Sequence, residues 1–160
     1  MKINGIEFNE NYGGFEFNKV ENYEDKVKGM GYGLEYNIVG CKATVYVYDK
    51  NSIVPDDIEN KIVEDEFVQS SIDIFSNYDD CKVIQKPLTI ETDKLRLIGT
   101  GFSLGKGQKE NISYLYITSL FGSFIKIRIT FSAVNNPEFG EEIQNNFMID
   151  LTAHLNYQIN

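Results

Sequence analysis

Between Lys94 and Ser132 the chain reads as three extended runs separated by two short, glycine-bearing turns. The last run is the clearest. Ile125, Ile127 and Ile129 alternate with Lys126, Arg128 and Thr130, and side chains two apart on a strand share one face. Phe121-Gly122-Ser123 divides it from the run Ile112 to Leu120, and Gly105-Lys106-Gly107-Gln108 divides that run from Lys94 to Leu104. Turns this short leave no room for a crossover, so neighbouring strands must be antiparallel. With residues 81–91 as a further extended stretch, the second half of the chain is a meander of three to four strands. The alternation predicts one buried and one wet face for 124–132.

The first half carries the same signal more weakly. Residues 3–8 and 12–17 read as two short strands, with a turn at 9–11 or a bulge at Gly13-Gly14. Tyr32 to Tyr36 and Ala43 to Tyr48 alternate and form a hairpin across Asn37 to Lys42. Two helices complete the pattern. Pro55-Asp56-Asp57 opens the first, expected over 55–77, since proline fits a first turn and acids suit the positive end of the helix dipole. Its apolar side is Val63, Phe67, Val68, Ile72, Ile74, Phe75 and Tyr78; Asp65, Glu66, Gln69 and Asp73 fall opposite. The second runs from Asn135-Asn136-Pro137 to about Asn156, with Phe139, Ile143, Phe147, Leu151 and Leu155 as its stripe. A chain of 160 residues reads as one domain, 1–160. The fold class expected is α+β: one antiparallel sheet of about six to seven strands flanked by two main helices.

The stretches Gly31-Tyr32-Gly33-Leu34-Glu35-Tyr36, Ala43 to Asp49 and Gly122 to Thr130, with the acidic-polar helix between them, resemble a group of small uncharacterised bacterial proteins. The order of elements across nearly the whole chain is similar to the PsbP-like sandwich fold. That fold includes extrinsic photosystem II subunits and a nuclear-import factor that binds a small GTPase. The resemblance implies an accessory, protein-binding role rather than catalysis, and it transfers no site residues. Many bacterial members carry a signal peptide or lipoprotein signal. Here Asn4 and Glu7 interrupt the apolar stretch such a signal needs, so a cytoplasmic location is expected.

Chemistry-bearing motifs are few. The single histidine, His154, stands four residues after Asp150, a spacing at which helical side chains meet. A hydrolase built on that pair would need a nucleophile, and no G-x-S-x-G elbow or flanked cysteine provides one. One His and two separated cysteines, Cys41 and Cys81, make no zinc set, and no calcium loop is present. The cysteines read as small buried hydrophobes. Gly99, Gly101 and Gly105 miss the dinucleotide spacing and read as bulges and a hairpin tip. The reading is a non-enzyme with no cofactor and no metal.

Charge is more informative. The net charge is −9, which argues against a general nucleic-acid binder, and no run of 18 apolar residues exists to span a membrane. Residues 56–66 hold six acids and one base, while residues 82–128 hold eight bases and three acids. The candidate partner-binding residues are therefore Asp56, Asp57, Glu59, Glu64, Asp65 and Glu66, an acidic helical face that steers a basic protein. Lys126 and Arg128 offer the converse, a meeting with an acidic partner. Two tyrosine pairs, Tyr46 with Tyr48 and Tyr114 with Tyr116, each share a sheet face that either covers the core or meets a partner. The expected function is a non-enzymatic, acidic protein-binding module of immunity or adaptor type. The alternative is a carrier of a small hydrophobic ligand or lipid, held between sheet and helices.

Overall fold

Almost every period-two segment finds its partner in one sheet, in a computed structural model that describes residues 1–56 and 61–160. In chain order the elements are β1 (Lys2–Ile3), β2 (Ile6–Glu7), β3 (Asn11–Tyr12), β4 (Phe15–Asn22), β5 (Tyr32–Ile38), β6 (Cys41–Tyr48), α1 (Lys61–Asn77), β7 (Lys82–Glu91), β8 (Arg96–Leu104), β9 (Asn111–Leu120), β10 (Ser123–Ser132) and α2 (Pro137–Tyr157). β1 and β2 form a two-stranded ribbon. The other eight strands form one antiparallel sheet in the order β3-β4-β5-β6-β10-β9-β8-β7. The protein is thus α+β with a large antiparallel sheet and two helices, and the sheet is wider than the six or seven strands expected.

Two four-strand meanders make this sheet. They meet at a seam where β6 pairs with β10, from Tyr48 opposite Phe124 to Cys41 opposite Phe131. The turns are tighter than the sequence suggests. β5 and β6 are joined by Val39-Gly40 alone, and Gly13-Gly14 is the β3–β4 turn rather than a bulge. At the β9–β10 turn both Phe121 and Gly122 have positive φ, 48° and 78°, the two-residue hairpin geometry that suits the strand twist.

The helices lie on opposite faces. α2 covers β3 and β10, and α1 covers β8 and β9. Beneath α2, Phe147 contacts the rings of Tyr12, Phe15 and Tyr36 at centroid separations of 4.9–5.7 Å. Each such buried ring contributes roughly 1.5–3 kcal/mol through surface withdrawn from water. Beneath α1, Phe67 and Ile74 pack with Phe102, Leu115 and Ile117. β9 is therefore buried on both sides, Tyr114 and Tyr116 toward α2 and Leu115 and Ile117 toward α1, which is why its centre, Tyr114 to Ile117, reads as an unbroken apolar run.

Several side chains depart from the expected pattern, each for a packing reason. Gly99 and Gly101 are not bulges. They sit in regular register opposite Tyr116 and Tyr114, and a Cβ on Gly99 would stand 2.3 Å from the Tyr116 ring. The two tyrosine rings lie across these glycines, 15° apart in plane. The irregular register is instead on β7, between Val83 and Leu88. The helix expected from Pro55 starts later: Pro55 and Asp56 are not helical, α1 is described from Lys61, and the intervening 57–60 lie outside the described residues. Phe139 is 40% exposed, and Gly140 takes its place against the sheet. Cys41 is buried, Cys81 is half-buried, and both are free thiols; burial pushes the Cys41 thiol up to about 12.

Candidate functional site

α1 turns a narrow face to the sheet: Val63, Glu66, Phe67, Ser70 and Ile74 are buried. The broad apolar side expected is split by this. Val68, Ile72 and Phe75 stay 54%, 51% and 45% exposed. They form one wall of a trench whose other wall is β7, an edge strand with one side unpaired. Phe67, Val68, Ile72, Phe75, Val83 and Pro87 line this trench, which encloses about 240 Å³. Pro87 fits an edge position because it has no N–H to give a neighbouring strand.

The four described candidate acids do not share one exposed patch. Glu64 and Asp65 are exposed on α1, with Arg96 3.7 Å from Glu64 and Lys61 3.1 Å from Asp65. Asp56 is exposed but engaged: its Oδ1 accepts the Gly122 N–H at 2.8 Å, tying it to the β9–β10 turn. Glu66 is turned inward, against the expectation that it belongs to the acidic face. It is 8% exposed, accepts a hydrogen bond from the Tyr48 hydroxyl at 2.6 Å, and pairs with Lys50. Burial, with Glu66 alongside, pushes the Tyr48 phenol far up. Asp57 and Glu59 lie outside the described residues.

His154 and Asp150 are not paired with each other. The His154 Nε2–H donates to the Glu7 carbonyl and Nδ1 accepts from Asn9, both at 2.9 Å. Asp150 accepts the Gly13 N–H at 2.7 Å. Both residues therefore fasten the N-terminal ribbon and the β3–β4 turn to α2. The tyrosine pairs are also inside. Tyr114 donates to Glu141 at 2.7 Å and Tyr116 to Gln144 at 3.1 Å, under α2. Tyr46 and Tyr48 lie on the α1 side, flanking Lys126.

Two further hollows were not visible in the sequence. Lys126 and Arg128, expected on a wet face, instead sit under the C-terminal half of α1 in a cleft of about 550 Å³. Between α2 and the sheet, Ile90, Tyr116, Met148, Ile149 and Thr152 line a space of about 310 Å³. There the buried Thr152 hydroxyl has no hydrogen-bond partner among the described residues.

No helix among the described residues is long and apolar enough to cross a membrane. No family model matches the chain, and no curated protein is significantly similar to it. Among solved structures the chain is similar to the solution structure of cyanobacterial PsbP (CyanoP) from Synechocystis sp. PCC 6803, with a TM-score of 0.48 and 11% identity over 84% of this chain and 85% of that one.

Proposed function

We propose that the protein is a non-enzymatic protein-binding module, of adaptor or immunity type, that receives a basic partner along α1. One observation carries this reading: large apolar side chains stand about half exposed beside exposed carboxylates on one helix. Val68, Ile72, Phe75 and Val83 provide the apolar strip, and Glu64 and Asp65 provide the charge. An apolar centre with a polar rim is the usual anatomy of a docking surface. Acids at the rim speed the approach of a basic partner and reject acidic ones. The net charge of −9 favours the same sign of partner.

The test separates the two components. Lysate proteins captured by the wild-type chain are compared with those captured by Glu64→Lys/Asp65→Lys and by Ile72→Asp. A partner held at low salt, released at high salt and lost in both variants supports the proposal. Equal capture by all three chains, or retention indifferent to salt, overturns it.

A second reading, a carrier of a small hydrophobic ligand, is favoured by the hollow under α2. Its volume of about 310 Å³ is at the lower end of ligand pockets, roughly 300–1,000 Å³. The unpartnered Thr152 hydroxyl is a ready hydrogen-bonding group in it. Ligands that bind only the native state raise the thermal midpoint. No shift across a library of apolar ligands, or the same shifts in Ala153→Phe, counts against this reading.

A further inference from the structure

Lys126 is the one half-buried lysine; every other lysine is exposed. Seven other bases, among them Lys42, Lys50 and Arg96, lie within 4.0 Å of a carboxylate. Lys126 and Arg128 do not, among the described residues. They stand two apart on one face of β10, so their charges repel. The Lys126 ammonium rests between two ring faces, 5.1 Å from the Tyr46 centroid and 5.2 Å from that of Tyr48. Those rings attract the cation without offering its three N–H groups a strong acceptor. Arg128 spends Nε and Nη2 on the Ser113 hydroxyl, at 3.3 and 2.8 Å, and also meets the Tyr78 hydroxyl. Burial pulls the pKa of both cations down, as expected where charge is desolvated without full compensation.

The surrounding groups form a receptacle. Ser70, Asp73, Asn77 and Tyr78 of α1 and the segment after it stand over the two cations across the cleft. Asp73 accepts from Gln69 at 2.9 Å and is, among the described residues, the one carboxylate in the lining, so this lining keeps an excess positive charge.

We propose that this cleft binds a small oxyanion, the phosphoryl or carboxylate group of a small molecule, gripped by Lys126 and Arg128 with Asn77 and Tyr78 at the mouth. The recess argues for a small molecule over an acidic protein surface, because the cations lie below the helix rather than at the level of the rim. Asp73 selects a ligand whose body carries a hydrogen-bond donor, since a second bare anionic group there would be repelled. This site lies on the opposite side of α1 from the apolar trench and does not depend on the protein-binding reading.

The experiment titrates inorganic phosphate and, separately, acetate into the whole chain at ionic strength held constant with sodium chloride. It follows thermal midpoint and amide chemical shifts. Lys126→Met keeps the stem between the tyrosine rings and removes the charge; Lys106→Met is the surface control. General stabilisation by phosphate affects all chains alike, so the difference between chains is the readout. The expected result is a saturable midpoint rise in wild type and Lys106→Met, with shifts centred on residues 73, 77, 126 and 128. Lys126→Met should weaken that response about tenfold or more, the scale of a lost charge-assisted hydrogen bond. Its midpoint without oxyanion should equal or exceed that of wild type, because a desolvated charge that Glu66 and Asp73 compensate only in part has been removed. Preference for phosphate over acetate, or the reverse, identifies the oxyanion. No response to either anion beyond matched chloride, or an equal response in Lys126→Met, overturns the proposal. Should that variant fail to fold, Arg128→Lys, which keeps the charge and loses the fork, decides by the same criterion.

Discussion

Replacing Glu66 with alanine removes the acceptor of the Tyr48 hydroxyl and the counter-charge of Lys50 in one step. A buried donor left without its partner costs about 1–3 kcal/mol. Glu66→Ala should therefore lower the urea midpoint, and Glu66→Gln should lower it less, because the amide oxygen still accepts from Tyr48. Equal midpoints for wild type and alanine variant would show that the inward carboxylate contributes nothing. Glu35 supports a second residue-level prediction. Lys42 at 2.6 Å, with Asn18 and Asn37 also donating, holds its carboxyl down to about 2 from 4.5. A depressed carboxylate stabilises the fold above its unfolded pKa and loses that contribution as pH falls through the folded value. Wild type should therefore exceed Glu35→Gln in stability at neutral pH. The gap should narrow between pH 4.5 and about 2, as measured by denaturant unfolding at stepped pH.

At the scale of elements, α2 contains a conflict between propensity and packing. Gly140 lies inside the helix, where alanine gains roughly 1 kcal/mol in isolation. Here the added Cβ would stand 2.2 Å from the Phe131 ring of β10. Overpacking of this kind costs about 1–3 kcal/mol, so Gly140→Ala should destabilise the protein, read as a lower thermal midpoint; a rise would mean the helix tolerates a shift off the sheet. The same conflict explains what the sequence could convey. Period-two alternation in 124–132 and the four-residue recurrence after Phe139 are local signals, and they place β10 and α2 closely. Ring beds such as Gly99 beneath Tyr116 depend on a neighbouring strand's register, which alternation within one strand does not contain. The same holds for Glu66. Its wheel position beside Val63, Phe67, Ser70 and Ile74 marks an inward face, but a carboxylate by itself favours water, and the Tyr48 and Lys50 partners that offset its burial come from outside the helix. The cationic cleft escaped for a related reason: Lys126 and Arg128 alternate like wet residues, and only the lie of α1 covers them.

For the whole molecule, protection should follow depth in the sheet. β9 is buried on both faces, while β7 is an edge strand with most of its residues exposed. Amide hydrogens exchange through openings whose cost rises toward the core. Hydrogen exchange should be slowest in 113–120 and fast on the outward side of β7; comparable protection of both would indicate that β7 is covered in solution by an associating chain. The seam between β6 and β10 has a different consequence, for the route by which the sheet forms. Every other pair of adjacent strands is joined by its own loop, so each four-strand half can zip from local hairpins. The seam joins residues roughly 75 or more positions apart, a separation whose closure entropy is lost before any pairing rewards it. Docking of the two halves along β6 and β10 is then the slow step of folding, and until it happens each half exposes one apolar strand edge that nothing within that half can cover.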